Sequence, residues 1–261
     1  MRKRLFYISV ILLFSISCHR AGSSDVGLLR RDKPVRLELP AYSADEQVIE
    51  HIGYTTSYNS TTLNPDWVAY ELTSAELQGE FKGKSSFCWD PLVKGRKSWR
   101  EDYKNDQNWD KGHMAPKADM KWSVQAYEES FYLSNVCPQN RTLNGGDWLK
   151  TENLARRMAE KYGKVYVVCG PVFKDRKFGT LGEHKVWIPD GFFKALLVPI
   201  GPAYESIAFY MDNEPNKNTL RTYAYSVDTI EKMISRDLFP GMNDTMEAIV
   251  ESHFKLKFWG L

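Results

Sequence analysis

The chain has 261 residues, of which 43% are hydrophobic and 26% charged, a composition typical of a soluble globular protein that excludes a disordered or collagen-like chain. The formal net charge of +2 becomes −1 when Arg2, Lys3 and Arg4 of a leader segment are left out, because 32 basic residues then stand against 33 acidic ones. A strongly basic nucleic-acid coat protein is therefore excluded, whereas a protein with a local basic groove is not.

The first residues have the pattern of an export signal. Basic residues at 2–4 precede an apolar run from Leu5 to Ile16, which is shorter than the roughly 20 residues that a membrane-spanning helix needs. The segment Ser15–Cys18 resembles a bacterial lipoprotein box, with Ser15 where Leu is usual, so the leader is either a lipoprotein signal with a lipid anchor at Cys18 or an ordinary cleaved signal. We predict a signal peptide over 1–17, a polar tether over 18–45 and a folded domain over 46–261. The protein would be exported, either as an envelope lipoprotein or as a secreted protein.

The remaining cysteines are Cys88, Cys137 and Cys169. They form no CxxC pair and no Cys/His spacing of the kind that binds zinc, and their odd number leaves at least one thiol without a disulfide. The apolar run that ends at Cys169 predicts a buried strand. We interpret all three cysteines as structural.

Strands and helices follow one another without regular alternation, which disfavours a doubly wound parallel sheet and predicts an α+β fold. The predicted strands are Trp67–Leu72, Phe131–Ser134, Val165–Cys169, Val186–Pro189, Phe192–Val198 and Ser206–Met211. The predicted helices are Val124–Ser130, Trp148–Tyr162, Leu220–Tyr225 and Val227–Ser235. Asn64–Asp66 is a predicted turn, and Asp147 a predicted cap of the second helix.

The residues suited to chemistry lie between positions 110 and 156. His113 follows Gly112 and shortly precedes a proline, which predicts an irregular, constrained segment. Glu152 and Arg156 are four residues apart and face the same way on a predicted helix, with Asn144 directly before it. Taken alone, this set also fits a surface histidine and an exposed salt bridge of a few tenths of a kcal/mol.

Several segments, in the same order along the chain, resemble the DNA/RNA non-specific endonuclease family. The family motif Asp-Arg-Gly-His matches Asp110-Lys111-Gly112-His113, which continues as Met114-Ala115-Pro116. The similarity runs from about Ile52 to Phe239. Its further matches are Pro65–Tyr70, Trp89–Pro91, Ser130–Asn135, Gly170–Phe173 and Phe192–Lys194.

This resemblance implies a fold and a reaction. The fold is an antiparallel β-sheet flanked by helices, with an embedded ββα-metal (His-Me) finger. That finger would run from the strand around His113, through the strand at Phe131, to the helix after Asn144. The reaction is metal-dependent, sequence-non-specific hydrolysis of DNA and RNA phosphodiesters, leaving 5′-phosphate and 3′-hydroxyl ends.

The resemblance also implies roles for individual residues. His113 matches the general base, and Asn144 matches the protein ligand to Mg²⁺, for which Mn²⁺ or another divalent ion could substitute. Glu152 matches the residue that holds the water shell of the metal, while Asn135 and Arg156 match residues that orient the histidine site and the scissile phosphate.

Two departures from the family bear on substrate binding. Lys111 stands where the family has Arg, which keeps the charge but loses the planar fork that binds phosphate at two points. A lysine-containing stretch at 82–86 stands where the family tends to carry an Arg. We expect weaker phosphate binding with the same reaction.

The sequence contains no motif for reading bases, so we expect DNA and RNA to bind through phosphates. A basic run of Lys94, Arg96, Lys97 and Arg100 is either a solvated loop or a strand-binding surface, and the aromatic residues are expected in the core. Two alternatives from other classes are a glycan-binding module and a catalytically weak or dead nuclease-fold protein that binds nucleic acid. The oligomeric state is open.

Overall fold

The computed structural model describes residues 36–104, 106–215 and 217–261. The strands are β1 (Gln47–Glu50), β2 (Thr55–Asn59), β3 (Asn64–Thr73), β4 (Trp109–His113), β5 (Val136–Asn140), β6 (Lys164–Val172), β7 (Thr180–Leu181), β8 (Val186–Trp187), β9 (Gly191–Ile200), β10 (Ala203–Asp212) and β11 (Ala224–Tyr225). The α-helices are α1 (Val124–Glu129), α2 (Arg141–Leu143), α3 (Leu149–Tyr162), α4 (Val227–Ile234), α5 (Asp244–Glu251) and α6 (Leu256–Trp259). Short 3₁₀ turns lie at Glu76–Gln78, Arg100–Tyr103, Leu133–Asn135 and Leu220–Tyr223, and a π-helical segment at Asn144–Trp148.

The main sheet has the order β1-β2-β3-β6-β9-β10-β11, and every pair of neighbours in it is antiparallel. Helices cover both of its faces, so the predicted α+β fold with an antiparallel sheet is confirmed. The central strands β6 and β9 are buried on both sides, which explains why their sequences are almost continuously apolar.

The two faces of the sheet carry separate cores because successive side chains of a strand point in opposite directions. One face packs against α3 and includes Val167, Leu196, Phe209, Leu154 and Met158. The other face packs against α4 and α5 and includes Val168, Ala195, Ala208, Ile230 and Val250. We call these the finger face and the outer face.

A separate two-stranded sheet of β4 and β5 lies on the finger face, with His113 opposite Val136. It is followed by α2, the π-helical segment and α3, which completes the expected ββα arrangement. The predicted strand at Phe131–Ser134 is wrong, because Leu133–Asn135 forms a 3₁₀ turn and the strand begins at Val136. A hydrogen bond from the Asn135 side chain to the Ser130 carbonyl closes this turn.

Other local predictions also differ from the structure. Asn64–Asp66 lies within β3 rather than in a turn, and the Asn64 amide donates to the carbonyls of Thr62 and Trp187. Asp147 lies inside the π-helical segment and caps nothing, because its carboxylate accepts from Lys150, Asn218 and Tyr223. The predicted helix at 220–225 is a 3₁₀ turn followed by β11.

The predicted signal peptide, Cys18 and most of the tether lie outside the described residues. Residues 36–45 pack on the folded body, where Leu37 and Leu39 contact the core of the outer face and the Ala41 amide donates to the Asp237 carbonyl. Contacts in the described chain thus begin ten residues before the predicted boundary at 46. No helix in the described residues is long and apolar enough to span a membrane. Cys137 and Cys169 are buried free thiols, whereas Cys88 is exposed.

Candidate active site

His113 lies at the end of β4 between two aromatic rings. Its ring centroid is 5.1 Å from that of Phe87 and 5.3 Å from that of Phe131. Its Nε2 atom is buried and has no hydrogen-bond partner in the part of the chain that the structure describes. Burial, with a smaller contribution from the nearby charge of Lys117, lowers the pKa of His113 to about 4. The imidazole is therefore neutral at pH 7 and can accept a proton.

Asn135 fixes the backbone that follows His113. Its side-chain Oδ1 accepts a hydrogen bond from the Ala115 amide (2.8 Å), and its Nδ2 donates to the Ala115 carbonyl (2.9 Å). Its own carbonyl accepts from the Met114 amide (2.9 Å). The side chain is fully buried, so these contacts support the orienting role that the sequence predicts.

The close pairing of β4 with β5 depends on Gly112. A Cβ atom at this position would lie 2.2 Å from Oε1 and 2.6 Å from Cβ of Gln139. Gln139 is fully buried, and neither of its side-chain amide atoms has a hydrogen-bond partner among the described residues. The sequence analysis missed this residue. A buried amide without a partner is the kind of group that an ordered water molecule satisfies.

Asn144 begins the π-helical segment and is anchored through its amide nitrogen. Nδ2 donates to Oδ2 of Asp110 (3.3 Å), whose other oxygen accepts from Nε of Arg141 (3.0 Å). Because the NH₂ group is directed to Asp110, Oδ1 is the atom of Asn144 that remains for a cation.

Lys111 and Asn144 line one cavity of about 320 Å³. The Lys111 ammonium lies 5.1 Å from the ring centroid of Tyr103 and 5.6 Å from that of Phe87. Partial burial, with the neighbouring charge of Arg100, lowers its pKa. Phe87 lines the cavity and also contacts the His113 ring, so it links the predicted base to the cavity that contains the predicted metal ligand. The remaining lining residues are Asp106, Trp109, Asp110 and Arg141.

Arg156 and Glu152 belong to a buried network instead of an exposed salt bridge. Nε of Arg156 lies 2.5 Å from Oδ1 of Asp119, and Nη2 lies 3.2 Å from Oε2 of Glu152. Its third donor, Nη1, binds Asn153 (2.9 Å), and the Tyr70 hydroxyl donates to Asp119 (3.1 Å). The guanidinium is thus occupied by protein groups in this structure. Its contact with a phosphate stays a prediction.

Two members of this network were missed by the sequence analysis. Asp119 is fully buried, and burial raises its pKa while Arg156 and Lys194 oppose that effect. Lys194 is also fully buried, with Nζ 4.1 Å from the ring centroid of Trp148 and no hydrogen-bond partner among the described residues. A single lysine inside the apolar run 192–198 was the available signal for a buried charge.

Glu152 lies beside these cations. Burial raises its pKa, and the charges of Lys194 and Arg156 counteract that rise. Trp148 connects the two parts of the site, because its indole N–H donates to the His113 carbonyl (3.4 Å) while its ring lies against Lys194. The structure therefore joins His113 to Asn135 through Met114 and Ala115, and to the Glu152 network through Trp148 and Lys194.

The residues present fit a hard divalent cation. The carboxamide oxygen of Asn144 and the carboxylate of Asp110 lie in one cavity, and such oxygen donors suit Mg²⁺. Nε2 of His113 and the amide of Gln139 are buried without partners in the described chain, as expected where water molecules complete a site.

Comparison with known proteins agrees with this arrangement. The model of the DNA/RNA non-specific endonuclease family matches residues 38–245. The chain belongs to this family. Among its relatives, the mitochondrial nuclease EXOG of Danio rerio is 33% identical over 79% of this chain and 64% of its own length. The nuclease of Serratia marcescens is 30% identical over 80% of this chain and 81% of its own length. Bovine mitochondrial endonuclease G is 30% identical over 71% and 67% of the two chains.

The fold is also found in solved structures. A crystal structure of the EndoG/EndoGI complex matches with a TM-score of 0.71 at 24% identity, covering 78% of this chain and 90% of the other. The match to the fish EXOG protein leaves about a third of that relative uncovered. The family and the ββα fold are thus established, and the activity of this chain is addressed below.

Proposed function

We propose that this protein is a metal-dependent, sequence-non-specific endonuclease that hydrolyses DNA and RNA to 5′-phosphate and 3′-hydroxyl ends. The observation that carries the proposal is the buried Nε2 atom of His113, which has no partner among the described residues and belongs to a ring that is neutral at pH 7. Membership of the endonuclease family and the cavity lined by Lys111 and Asn144 support the same reaction.

Hydrolysis of a phosphodiester needs a base for water and positive charge for the phosphate. His113 accepts the proton of the attacking water at Nε2, while Asn135 holds the backbone beside it in place. Lys111 contributes a point charge in the cavity, without the two-point phosphate contact that an arginine would give. Glu152 hydrogen-bonds water at the site and is itself held by Arg156.

Asn144 would hold the divalent cation through Oδ1, with Glu152 bonding to the water shell of the ion. When bound there, Mg²⁺ or Mn²⁺ would supply positive charge that offsets the charge of the phosphate and of the leaving 3′ oxygen. The substrate would bind through its phosphates and hence with salt-dependent affinity. We further propose that the leader directs export of the protein and that Cys18 carries a lipid anchor.

The test is cleavage of supercoiled plasmid and of total RNA by the mature protein with Mg²⁺ or with EDTA. We expect degradation of both substrates with Mg²⁺, none with EDTA, and at least a thousandfold loss in His113→Ala. His253→Ala, at an exposed histidine, is the matched control and should cleave like wild type. Equal cleavage by wild type and His113→Ala, or cleavage in EDTA, would overturn the mechanism. An inert wild type that still binds nucleic acid would favour the dead-nuclease alternative.

The pH profile gives a second readout. Because the pKa of His113 is lowered to about 4, its neutral form persists well below the ordinary value of about 6.5 for histidine. We expect kcat/KM to stay high at pH 6 and its acid limb to lie below pH 6.5. An acid limb centred at or above pH 6.5 would contradict the buried, neutral state of this base.

A further inference from the structure

Two exposed tryptophans line a groove beside the catalytic cavity. Trp89 and Trp99 are 44% and 43% exposed, although the sequence places aromatic residues in the core. The groove has a volume of about 440 Å³, and Gly95, Arg96, Lys97 and His184 complete its lining. An exposed pair of large apolar side chains is costly in water and marks a binding surface when it occupies a groove.

Protein contacts hold both rings in place. The Lys97 ammonium lies 4.4 Å from the ring centroid of Trp89. Trp99 stacks on His184 at 5.9 Å and 24°. The buried carboxylate of Asp102 accepts from the Trp99 amide (2.8 Å) and binds Nδ1 of His184 (2.9 Å). One carboxylate therefore fixes the backbone of one ring and the orientation of its stacking partner.

The turn between the tryptophans is also defined. Gly95 has a φ of +82°, which L-residues rarely adopt. Arg96 donates to the His184 carbonyl (2.9 Å) and so joins the two chain segments that line the groove. The basic run at 94–100 is thereby ordered around an aromatic surface, which favours a specific binding role over a solvated loop.

Neighbouring stretches of the chain form the groove and the catalytic cavity. Phe87 and Tyr103 line the cavity, and they lie two and four residues from the tryptophans of the groove. Between the two regions, the charge of Arg100 acts on Lys111 and lowers its pKa. The charge of the basic run therefore acts at the catalytic cavity as well as in the groove.

We propose that this groove binds a single-stranded part of the substrate by stacking unpaired bases on Trp99 and Trp89, while the basic side chains contact the phosphates. This rests on the proposed nuclease function. Aromatic rings stack with all four bases, so such a subsite adds affinity without sequence preference. Paired bases inside a duplex do not expose their faces, and the subsite therefore favours unpaired strands. The adjacent cations favour a polyanion over a neutral glycan.

The experiment measures binding in EDTA, which prevents cleavage, with fluorescein-labelled 15-residue oligothymidylate. An abasic oligomer of equal length and a duplex serve as comparison ligands. We expect wild type to bind oligothymidylate at least fivefold more tightly than the abasic oligomer. Trp99→Ala should bind oligothymidylate roughly tenfold more weakly and bind the abasic oligomer like wild type. Trp99→Phe should recover most of the affinity.

Ile249→Ala is the matched control, because Ile249 is 57% exposed and lies on α5 at the outer face. It should leave all affinities unchanged. Equal weakening of oligothymidylate and abasic oligomer by Trp99→Ala would overturn base stacking. Quenching of tryptophan fluorescence by a neutral oligosaccharide but not by oligothymidylate would overturn it in favour of a glycan. Trp99-dependent binding without any cleavage by wild type would refute the nuclease function and leave the stacking groove standing.

Discussion

The two faces of the sheet bury acidic side chains in opposite ways. On the finger face, Asp119 and Glu152 lie with Arg156, and Lys194 adds a second buried cation. On the outer face, carboxylate oxygens of Asp228, Glu231 and Glu251 lie within 4.8 Å of one another. The charges acting on Glu251 there are those of other acidic groups.

The pKa values show the consequence of this difference. Burial and the neighbouring acids raise the pKa of Glu251 to about 9 and that of Glu231 to about 7. One Glu251 oxygen is buried without a partner in the described chain, so the outer cluster holds protons at neutral pH. The comparison teaches that neighbouring cations oppose the rise in pKa that burial imposes on a carboxylate, whereas neighbouring acids add to that rise.

Removing Arg156, the finger-face cation that binds both acids, should have the largest effect on stability. Arg156→Met leaves Asp119 and Glu152 buried beside each other without their main partner. We expect unfolding free energy to fall by about 3–5 kcal/mol, measured by urea denaturation at pH 7. The control is Arg157→Met, at the neighbouring exposed arginine, which should change stability by less than about 0.5 kcal/mol. An unchanged stability in Arg156→Met would mean that Asp119 is already protonated.

Removing an acid from the outer face should instead increase the free energy of unfolding. The folded-state pKa of Glu251 is raised above its ordinary value, so the folded state binds the extra proton and loses stability as pH rises from about 4.5 towards 9. We expect Glu251→Gln to stabilise the protein at pH 8 by on the order of 1–3 kcal/mol.

This gain should nearly disappear at pH 4.5, where the carboxyl is protonated in the folded state and half protonated in the unfolded state. Thermal unfolding at pH 4.5, 6 and 8 measures the trend, with Glu160→Gln at an exposed position as control. A gain that did not change with pH would contradict the protonated outer cluster.

The smallest expected effect concerns Lys194. Its charge lowers the pKa of Glu152, so Lys194→Met should raise that pKa by about one unit and shift to higher pH the part of the acid limb that Glu152 contributes beside His113. Stability should change little, because the methionine fills a similar volume in an apolar site. The measurement is kcat/KM against pH, with Lys161→Met at the exposed end of α3 as control. An unchanged acid limb would show that Lys194 does not influence a group whose titration limits cleavage.

Long apolar runs made much of the sheet predictable. The segments 165–169, 192–198 and 206–211 all lie within observed strands, because burial on two faces leaves a continuous hydrophobic signal. The errors at Phe131–Ser134 and Asn64–Asp66 arise where asparagine side chains bind the backbone. The Asn135 side chain closes a turn where the sequence predicts a strand. The Asn64 side chain supports a strand where the sequence predicts a turn.

A local motif predicts His113 and Asn144 as site residues, and their roles stay predictions. No local motif predicts the buried polar residues Asp119, Gln139 and Lys194, because the groups around them lie far away in the sequence. The groove could not be predicted from the sequence, because tryptophan is usually a core residue. The structure shows that Trp89 and Trp99 are exposed.

The long connection between β3 and β6 determines where the protein tolerates insertions and deletions. The neighbouring strands β3 and β6 are separated by about 90 residues, and this single insertion contains His113, Asn144, Glu152 and both tryptophans of the groove. The entropy of closing such a loop grows only with the logarithm of its length, so doubling it would cost about 0.6 kcal/mol. Insertions and deletions in the exposed stretches of this segment, away from α3 and the Arg156 network, can therefore alter the active site while the sheet keeps nearly the same stability.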